Sequence, residues 1–371
     1  MRVLHLNAGN LYGGIETYLR TLAVCRHLAP EMEPSFGFCF SGRLRDELVK
    51  EGVAIHELGP VRLSRPWTVL AARRRLRSVL HDGAVDVAVT HGCWPHGVFA
   101  PAVRRAGVRL VNFVHGDLSK PNRIDRRAAR TPPDLVIANS QFTAGPAGNL
   151  FPQSPVIVVY VPVADPDVRI GRAQLRAELG AGPETIIILM VSRIEDLKGH
   201  AILLDAVARL RDLAGWVCWV AGGAERPYDV ELLNRLKVQA VRLGIANRVR
   251  FIGARSDVPE LMAAADVYCQ PNTGPEGFGL TFVEALYAGL PVVTTGFGGA
   301  VEIIDETCGA LTPAGDVAAV ARVLAGLIRN AERRAGLGAA GPARAKALCD
   351  PAACMNRLAE VLADRVIASA A

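Results

Sequence analysis

Aromatic residues make up only 6% of this 371-residue chain, too thin a supply for the stacked rings that usually grip single-stranded nucleic acid. Its eight cysteines (Cys25, Cys39, Cys93, Cys218, Cys269, Cys308, Cys349 and Cys354) form no C-x-x-C pair and fall mostly in apolar runs. That argues against a zinc site or a disulfide framework, and for inert, reduced thiols in a cytoplasmic protein. No apolar run approaches the roughly 18 residues of a membrane-crossing helix. The apolar part of MRVLHLNAGN is too short and too soon interrupted for a signal peptide. The first strand-to-helix turn, AGNLYGG, lacks G-x-G-x-x-G, which disfavours a plain dinucleotide-dependent dehydrogenase. Low-complexity tracts and fixed-period repeats are also missing.

What is present is apolar residue in quantity, 50% of the chain. With this length, two domains can each bury a core. In the first half, runs reading as strands are Arg2–Asn7, Ser35–Phe40, Val53–Leu58, Val85–His91, Arg109–His115, Leu135–Asn139 and Val156–Tyr160. They alternate with helical stretches at Ile15–Leu28, Arg43–Glu51, Thr68–Leu80 and Pro95–Ala106, the rhythm of an open parallel sheet. Arg2–Asn7 alternates apolar with polar. In the second half, Thr185–Val191, Trp216–Gly222, Val249–Ile252, Val267–Gln270 and Pro291–Thr295 read as strands, and Arg172–Leu179, His200–Leu213, Val230–Leu243 and a short helix to Ala265 lie between them. Ligands on such sheets sit beyond the carboxyl ends of the strands.

Charge is uneven. Residues 1–165 carry 20 Lys+Arg against 13 Asp+Glu, a net of +7, whereas the remainder carries 22 against 23. Between Pro60 and His81 there is no acid, but Arg62, Arg65, Arg73, Arg74, Arg75 and Arg77 are all there. Such a run reads equally as a solvated helix face or as a surface for anionic lipid headgroups, with Trp67, Val69 and Leu70 as interfacial anchors.

The most informative stretch is PNTGPEGFGLTFVEALYAGLPVV, residues 271–293. A glycine-rich loop leads into a helix from Leu280 to Ala288, ended by Gly289. Gly277 and Gly279 leave the backbone bare where the first helical N–H groups lack partners, a site that attracts phosphate. Glu276 stands just before the turn and Glu284 eight residues on. The five residues from Leu280 to Glu284 rise about 7 Å, so the two acids can reach opposite sides of a bound diphosphate. Earlier, SRIEDLKGH places Arg193 and Lys198 five residues apart on the loop leaving a buried strand. A cation about 4 Å from a bound phosphate is worth about 4 kcal/mol at an effective dielectric of 20. A lysine close to a helix start also calls for an anion to compensate it.

These motifs resemble the family 4 glycosyltransferases: the E-x7-E pair Glu276 and Glu284, the R-x4-K pair Arg193 and Lys198, the turn Gly13-Gly14-Ile15-Glu16, and the loop Gly298-Gly299 with Glu302. The resemblance spans essentially the whole chain. It implies the α/β GT-B fold, two Rossmann-like βαβ domains facing a central cleft, with a C-terminal helix crossing back to the first. The expected boundaries are 1–165 for acceptor binding, 166–350 for donor binding and 351–371 for the crossover helix. It also implies retaining transfer of a sugar from a nucleotide-sugar, UDP- or GDP-linked, without metal or other cofactor. Arg193, Lys198 and the backbone along Phe278, Gly279, Leu280 and Thr281 would hold the diphosphate. Glu284 would hold the ribose and Glu276 the sugar, while His115 would assist near the reacting carbon as a neutral imidazole. Gly13 and Gly14 would approach the donor phosphates and the acceptor, although packing alone also accounts for two glycines there. Arg255 would stack on the base or simply lie on the surface. His91 and His96 read as structural no less than functional, and capping explains Ser140 fully.

One departure lies near the domain crossing, where VYVPVADPD replaces the family's P-N-G-V-D-like turn. Asp165-Pro166-Asp167 has the D-x-D pattern of metal-binding glycosyltransferases of another fold, but its place suits a linker. The expected partners are a nucleotide-sugar, a sugar or lipid-linked acceptor and, through the basic half, the inner face of a membrane; no nucleic acid is expected. Bacterial polysaccharide, lipopolysaccharide or glycolipid assembly is the expected setting. The rivals are a nucleotide-sugar epimerase or phosphorylase, and a non-catalytic carbohydrate- or nucleotide-binding protein on the same scaffold.

Overall fold

The computed structural model describes residues 1–10, 12–82, 85–164, 168–224 and 226–364. The chain forms two compact units, residues 1–164 with 349 onward, and residues 165–348. The D-x-D triplet at 165–167 and the end of the expected crossover helix lie outside the described residues.

The first unit runs β1 (Arg2–Asn7), α1 (Gly14–Val24), β2 (Glu33–Phe38), α2 (Arg43–Lys50), β3 (Ala54–Glu57), α3 (Pro66–Asp82), β4 (Val87–His91), α4 (Cys93–Arg105), β5 (Arg109–Val114), α5 (Arg123–Ala128), β6 (Leu135–Ala138), α6 (Gln141–Leu150) and β7 (Val156–Val158). Its parallel sheet has the order β3-β2-β1-β4-β5-β6-β7. The second unit runs α7 (Arg172–Glu178), β8 (Ile186–Val191), α8 (His200–Ala208), β9 (Trp216–Ala221), α9 (Pro227–Arg242), β10 (Val249–Gly253), α10 (Val258–Ala264), β11 (Val267–Gln270), α11 (Leu280–Tyr287), β12 (Val292–Thr295), α12 (Ala300–Ile303), β13 (Gly309–Thr312), α13 (Val317–Arg329) and α14 (Ala331–Cys349). Its parallel sheet has the order β10-β9-β8-β11-β12-β13. After Cys349 the chain rejoins the first unit as α15 (Pro351–Ala363), which packs on the 3₁₀ turn Cys25–Leu28.

Strands covered by helices on both faces become apolar throughout, as in IIILMV of β8, where Ile187 to Met190 are fully buried. The alternation in β1 is therefore misleading. His5 and Asn7 do not face solvent; both are buried, His5 completely. The expected helix Ile15–Leu28 divides at Val24, where the chain tightens into the 3₁₀ turn. In α3 Val69 lies in the core rather than among surface anchors, while Trp67 and Leu70 are each 64% exposed. Arg73 and Arg75 are occupied too, donating to the carbonyls of Val98 and Leu58. All eight cysteines are buried, and none is in a disulfide.

In both sheets the order in which successive strands are added reverses between two neighbours, β1 with β4 and β8 with β11. At such a switch point the loops leaving adjacent strands diverge and open a crevice at their carboxyl ends. In the second unit these are the loops that hold Arg193 with Lys198 and Glu276.

Candidate functional site

In the second unit the loop between β11 and α11 is fastened on two sides. Thr273 donates its N–H to the Leu197 carbonyl at 3.0 Å and its hydroxyl to the Asp196 carbonyl at 2.8 Å. On the other side Gly299 donates to the Glu276 carbonyl at 2.8 Å. A Cβ on Gly298 would stand 2.6 Å from that carbonyl oxygen, and one on Gly299 would stand 2.5 Å from the Gly277 oxygen. The glycines of this pair let one loop lie flat upon the other. Beneath them is a buried amide ladder that sequence reading overlooked. The Tyr268 hydroxyl sits 2.7 Å from Gln270 Oε1, and Gln270 Nε2 donates to Asn272 Oδ1 at 2.9 Å. Thr294 and Thr295 donate to the Gln270 and Asn272 carbonyls. The polar residues around PNTG were the only signal of it.

Gly279 begins α11 with φ +107°, where a Cβ would also fall 2.3 Å from the Phe282 ring. Only glycine meets both demands. The first turn of α11 carries no acid and no side-chain cap. Phe278 is buried, so its contribution to any ligand would come from the backbone, whereas Leu280 and Thr281 are partly open.

Lys198 does not lie in the first turn of α8. It ends a 3₁₀ turn, Asp196–Lys198, one residue before Gly199, which takes left-handed φ +78° against the Pro271 carbonyl. The anion expected to compensate it is Glu276, whose Oε2 lies 2.5 Å from Lys198 Nζ. Arg193 is likewise engaged, 3.0 Å from Glu195, a carboxylate shared with Arg226. Before any ligand arrives, each cation of the R-x4-K pair is thus held by an acid. Glu284 is the exception. Its carboxylate is crowded by protein, open to solvent only in part, and has no hydrogen bond or salt bridge among the described residues. Burial raises its carboxyl to about 7.

Arg255 forms a two-pronged pair with Asp257, its Nε donating at 2.7 Å. Asp257 stands at the start of α10 but spends its side chain on that arginine rather than on capping. Ser140 does cap α6, accepting from the Thr143 N–H at 3.1 Å.

In the first unit, Gly13 precedes α1 in an extended conformation, and its N–H donates to Glu16 Oε2 at 3.0 Å. Glu16 is buried and also accepts from Asn7 Nδ2. The GG-x-E turn therefore closes on its own glutamate. His115 follows β5, partly buried, stacked on Phe113 with 4.4 Å between ring centres. Its Nε2 lies 3.0 Å from His91 Nδ1, and burial depresses it to about 3. His96 is structural, with Thr90 on one ring nitrogen and the Thr131 carbonyl on the other.

Two family models divide the chain: Glycosyl transferases group 1 matches residues 171–344, and Glycosyltransferase Family 4 matches residues 12–164. A GDP-mannose-dependent alpha-(1-6)-phosphatidylinositol monomannoside mannosyltransferase of Mycolicibacterium smegmatis is 28% identical over 305 residues, 76% of this chain and 77% of that one. A D-inositol 3-phosphate glycosyltransferase of Streptomyces scabiei is 33% identical over 274 residues, covering 66% of this chain but only 60% of its own. Among solved structures, Anabaena HepE in complex with UDP-glucose superposes with a TM-score of 0.86 at 26% identity, over 98% of this chain and 99% of that one. With both halves of the chain accounted for in this way, the protein belongs to the family 4 glycosyltransferases and is a glycosyltransferase of the GT-B fold.

Proposed function

We propose that this enzyme moves a hexose from a UDP- or GDP-sugar to a hydroxyl of a sugar or lipid-linked acceptor, with retention at the reacting carbon and without a metal ion. The observation that carries the reading is the Lys198–Glu276 pair, 2.5 Å apart beside the uncapped start of α11. A diphosphate at this helix start would meet free N–H groups and draw Lys198 and Arg193 from their carboxylates. Glu276 would then be released to accept from sugar hydroxyls. Two cations and a helix terminus stabilise the charge that grows on the leaving diphosphate. The partnerless Glu284 suits two ribose hydroxyls, each a donor to a carboxylate. His115 is assigned to the donor sugar and the Gly13–Gly14 turn to the acceptor. Polysaccharide, lipopolysaccharide or glycolipid assembly is the setting we favour. The solved relative binds UDP-glucose and the mycobacterial one is named for GDP-mannose, which supports these two bases first.

A lipid-linked acceptor also fits α3. Trp67 and Leu70 are exposed there among arginines, of which Arg62, Arg65, Arg74 and Arg77 remain for anionic headgroups. No helix among the described residues is long and apolar enough to cross a membrane.

The test is a thermal-shift screen of UDP, GDP and ADP, followed by transfer or donor hydrolysis with the base that binds. At a ligand concentration 100 times Kd, stabilisation of about 2.7 kcal/mol is expected, with turnover that survives chelation. No shift with any of the three, or activity lost to chelator and restored by manganese, overturns the reading.

A further inference from the structure

Strands β1, β4 and β5 are neighbours, and each brings one histidine to a common line: His5 within β1, His91 at the end of β4, His115 just after β5. His5 Nδ1 lies 3.0 Å from His91 Nε2, and His91 Nδ1 lies 3.0 Å from His115 Nε2. The rings follow one another at 5.2 and 5.3 Å between centres, packed against Phe36, Tyr18 and Phe113. The inner end is closed, because His5 Nε2 is buried with no partner. At the outer end His115 Nδ1 has no hydrogen-bond partner among the described residues. Burial holds all three rings neutral, His5 and His115 near 3 and His91 well below its usual value.

A neutral imidazole has one N–H and one lone pair. For both links to be hydrogen bonds, all three rings must carry the proton on the same nitrogen, all on Nδ1 or all on Nε2. We propose that His5 and His91 are positioning residues that occupy Nε2 of His115 and lock the three rings in one shared tautomer. His115 Nδ1 then meets the substrate as a hydrogen-bonding group that transfers no proton. The bookkeeping of protons leaves no other role. If Nδ1 of His115 gave its proton away, His115 would have to draw one from His91, and His91 one from His5, ending in an imidazolate in the core. If Nδ1 took a proton, a cation would form in a chain whose inner end has no acceptor to relieve it. This deepens the proposed function, resting on it for the identity of the substrate but not for the lock.

Long-range ¹H–¹⁵N correlation spectra of the full-length protein labelled in its eight histidines read the tautomers directly, with no substrate present. We expect His5, His91 and His115 to share one tautomer and none of them to titrate between pH 5 and 8. Mixed tautomers, or titration of any of the three in that range, overturn the proposal. His91→Phe, which cuts both links, is expected to lower kcat roughly tenfold or more, with donor KM changed by less than about twofold, because the groups proposed for the diphosphate and ribose (Arg193, Lys198, the start of α11 and Glu284) are untouched. His91→Gln, whose amide can again pair with His115 Nε2, is expected to restore most of that loss. Equal kcat per folded molecule in wild type and His91→Phe overturns the positioning role. A protein that turns over no donor at all would sink the transferase reading while leaving the spectra to decide the lock.

Discussion

Of the helices that open on glycine at the carboxyl edge of their sheets, α1 after Gly13 and α11 after Gly279 have first turns that are opposites. At α1 the buried Glu16 turns back onto the Gly13 N–H, so the positive end of the helix is already neutralised from within. At α11 nothing plays that part. Its first turn has no acid and no cap, and on the flanking loops Lys198 and Glu276 are bound to each other. The first terminus is finished by the fold, and the second is the one we propose for a ligand. A glycine before a helix says only that the backbone is bare; whether an anion is wanted depends on which carboxylates the rest of the chain delivers.

The largest effect should come from Lys198→Met. It removes a cation from the leaving diphosphate and leaves Glu276 unpaired, so kcat/KM is expected to fall about 10²- to 10³-fold. Steady-state kinetics of transfer would check this; a loss under about threefold would mean the open helix start works without its lysine. Gly279→Ala attacks the start itself. With φ +107° and the Phe282 ring in the way, the change should destabilise the fold by about 1–3 kcal/mol in urea unfolding and weaken nucleoside diphosphate binding. Wild-type affinity in this variant would show that the N–H groups of α11 are not the phosphate site.

Glu284→Gln sharpens the comparison through pH. The folded chain holds the Glu284 proton up to about 7, from an ordinary value of 4.5. Between those values the folded state binds more protons than the unfolded, so the stability associated with this group is full below about 4.5 and lost as pH rises through 7. The variant should therefore melt higher than wild type at pH 8 and converge with it toward pH 5. It should also bind nucleoside diphosphate roughly tenfold more weakly, for want of a charged acceptor. A lower melting temperature at pH 8 would argue against the buried charge. The smallest effect belongs to the closed terminus. Glu16→Ala should cost about 1 kcal/mol in chemical denaturation, as lost caps do, while nucleotide affinity stays within about twofold. A drop in affinity as large as that of Glu284→Gln would erase the distinction between the two termini.

Much of this architecture was legible before any coordinates. Apolar runs such as IIILMV fall where β8 does, and the alternation of strands and helices implied parallel sheets. Other parts were hidden for identifiable reasons. Helix α14 has little apolar periodicity and carries Gly336, Gly338, Gly341 and Pro342, which read as breakers. Two of those glycines in fact allow close approach, since a Cβ on Gly338 or Gly341 would strike the Gly289 or Leu286 carbonyl at the end of α11. Strand β13, four residues long, is too short to show a period at all. His5 was hidden by its own strand, where alternation implied water on a face that Phe36 and His91, stacked on its ring from the neighbouring strands, help to cover.

The local chemistry of the candidate site was set by sequence alone: Gly279 because only glycine takes that backbone conformation, Arg193 with Lys198 because one loop carries both, Glu276 with Glu284 because helical rise separates them. Partnership was not. Lys198 and Glu276 stand 78 positions apart and His5 and His91 stand 86 apart. Such pairs exist only because strands distant in sequence lie side by side in a parallel sheet. Spacing along a chain fixes what one turn or one helix can present; which charge meets which, and which histidine leans on another, is decided by strand order and register.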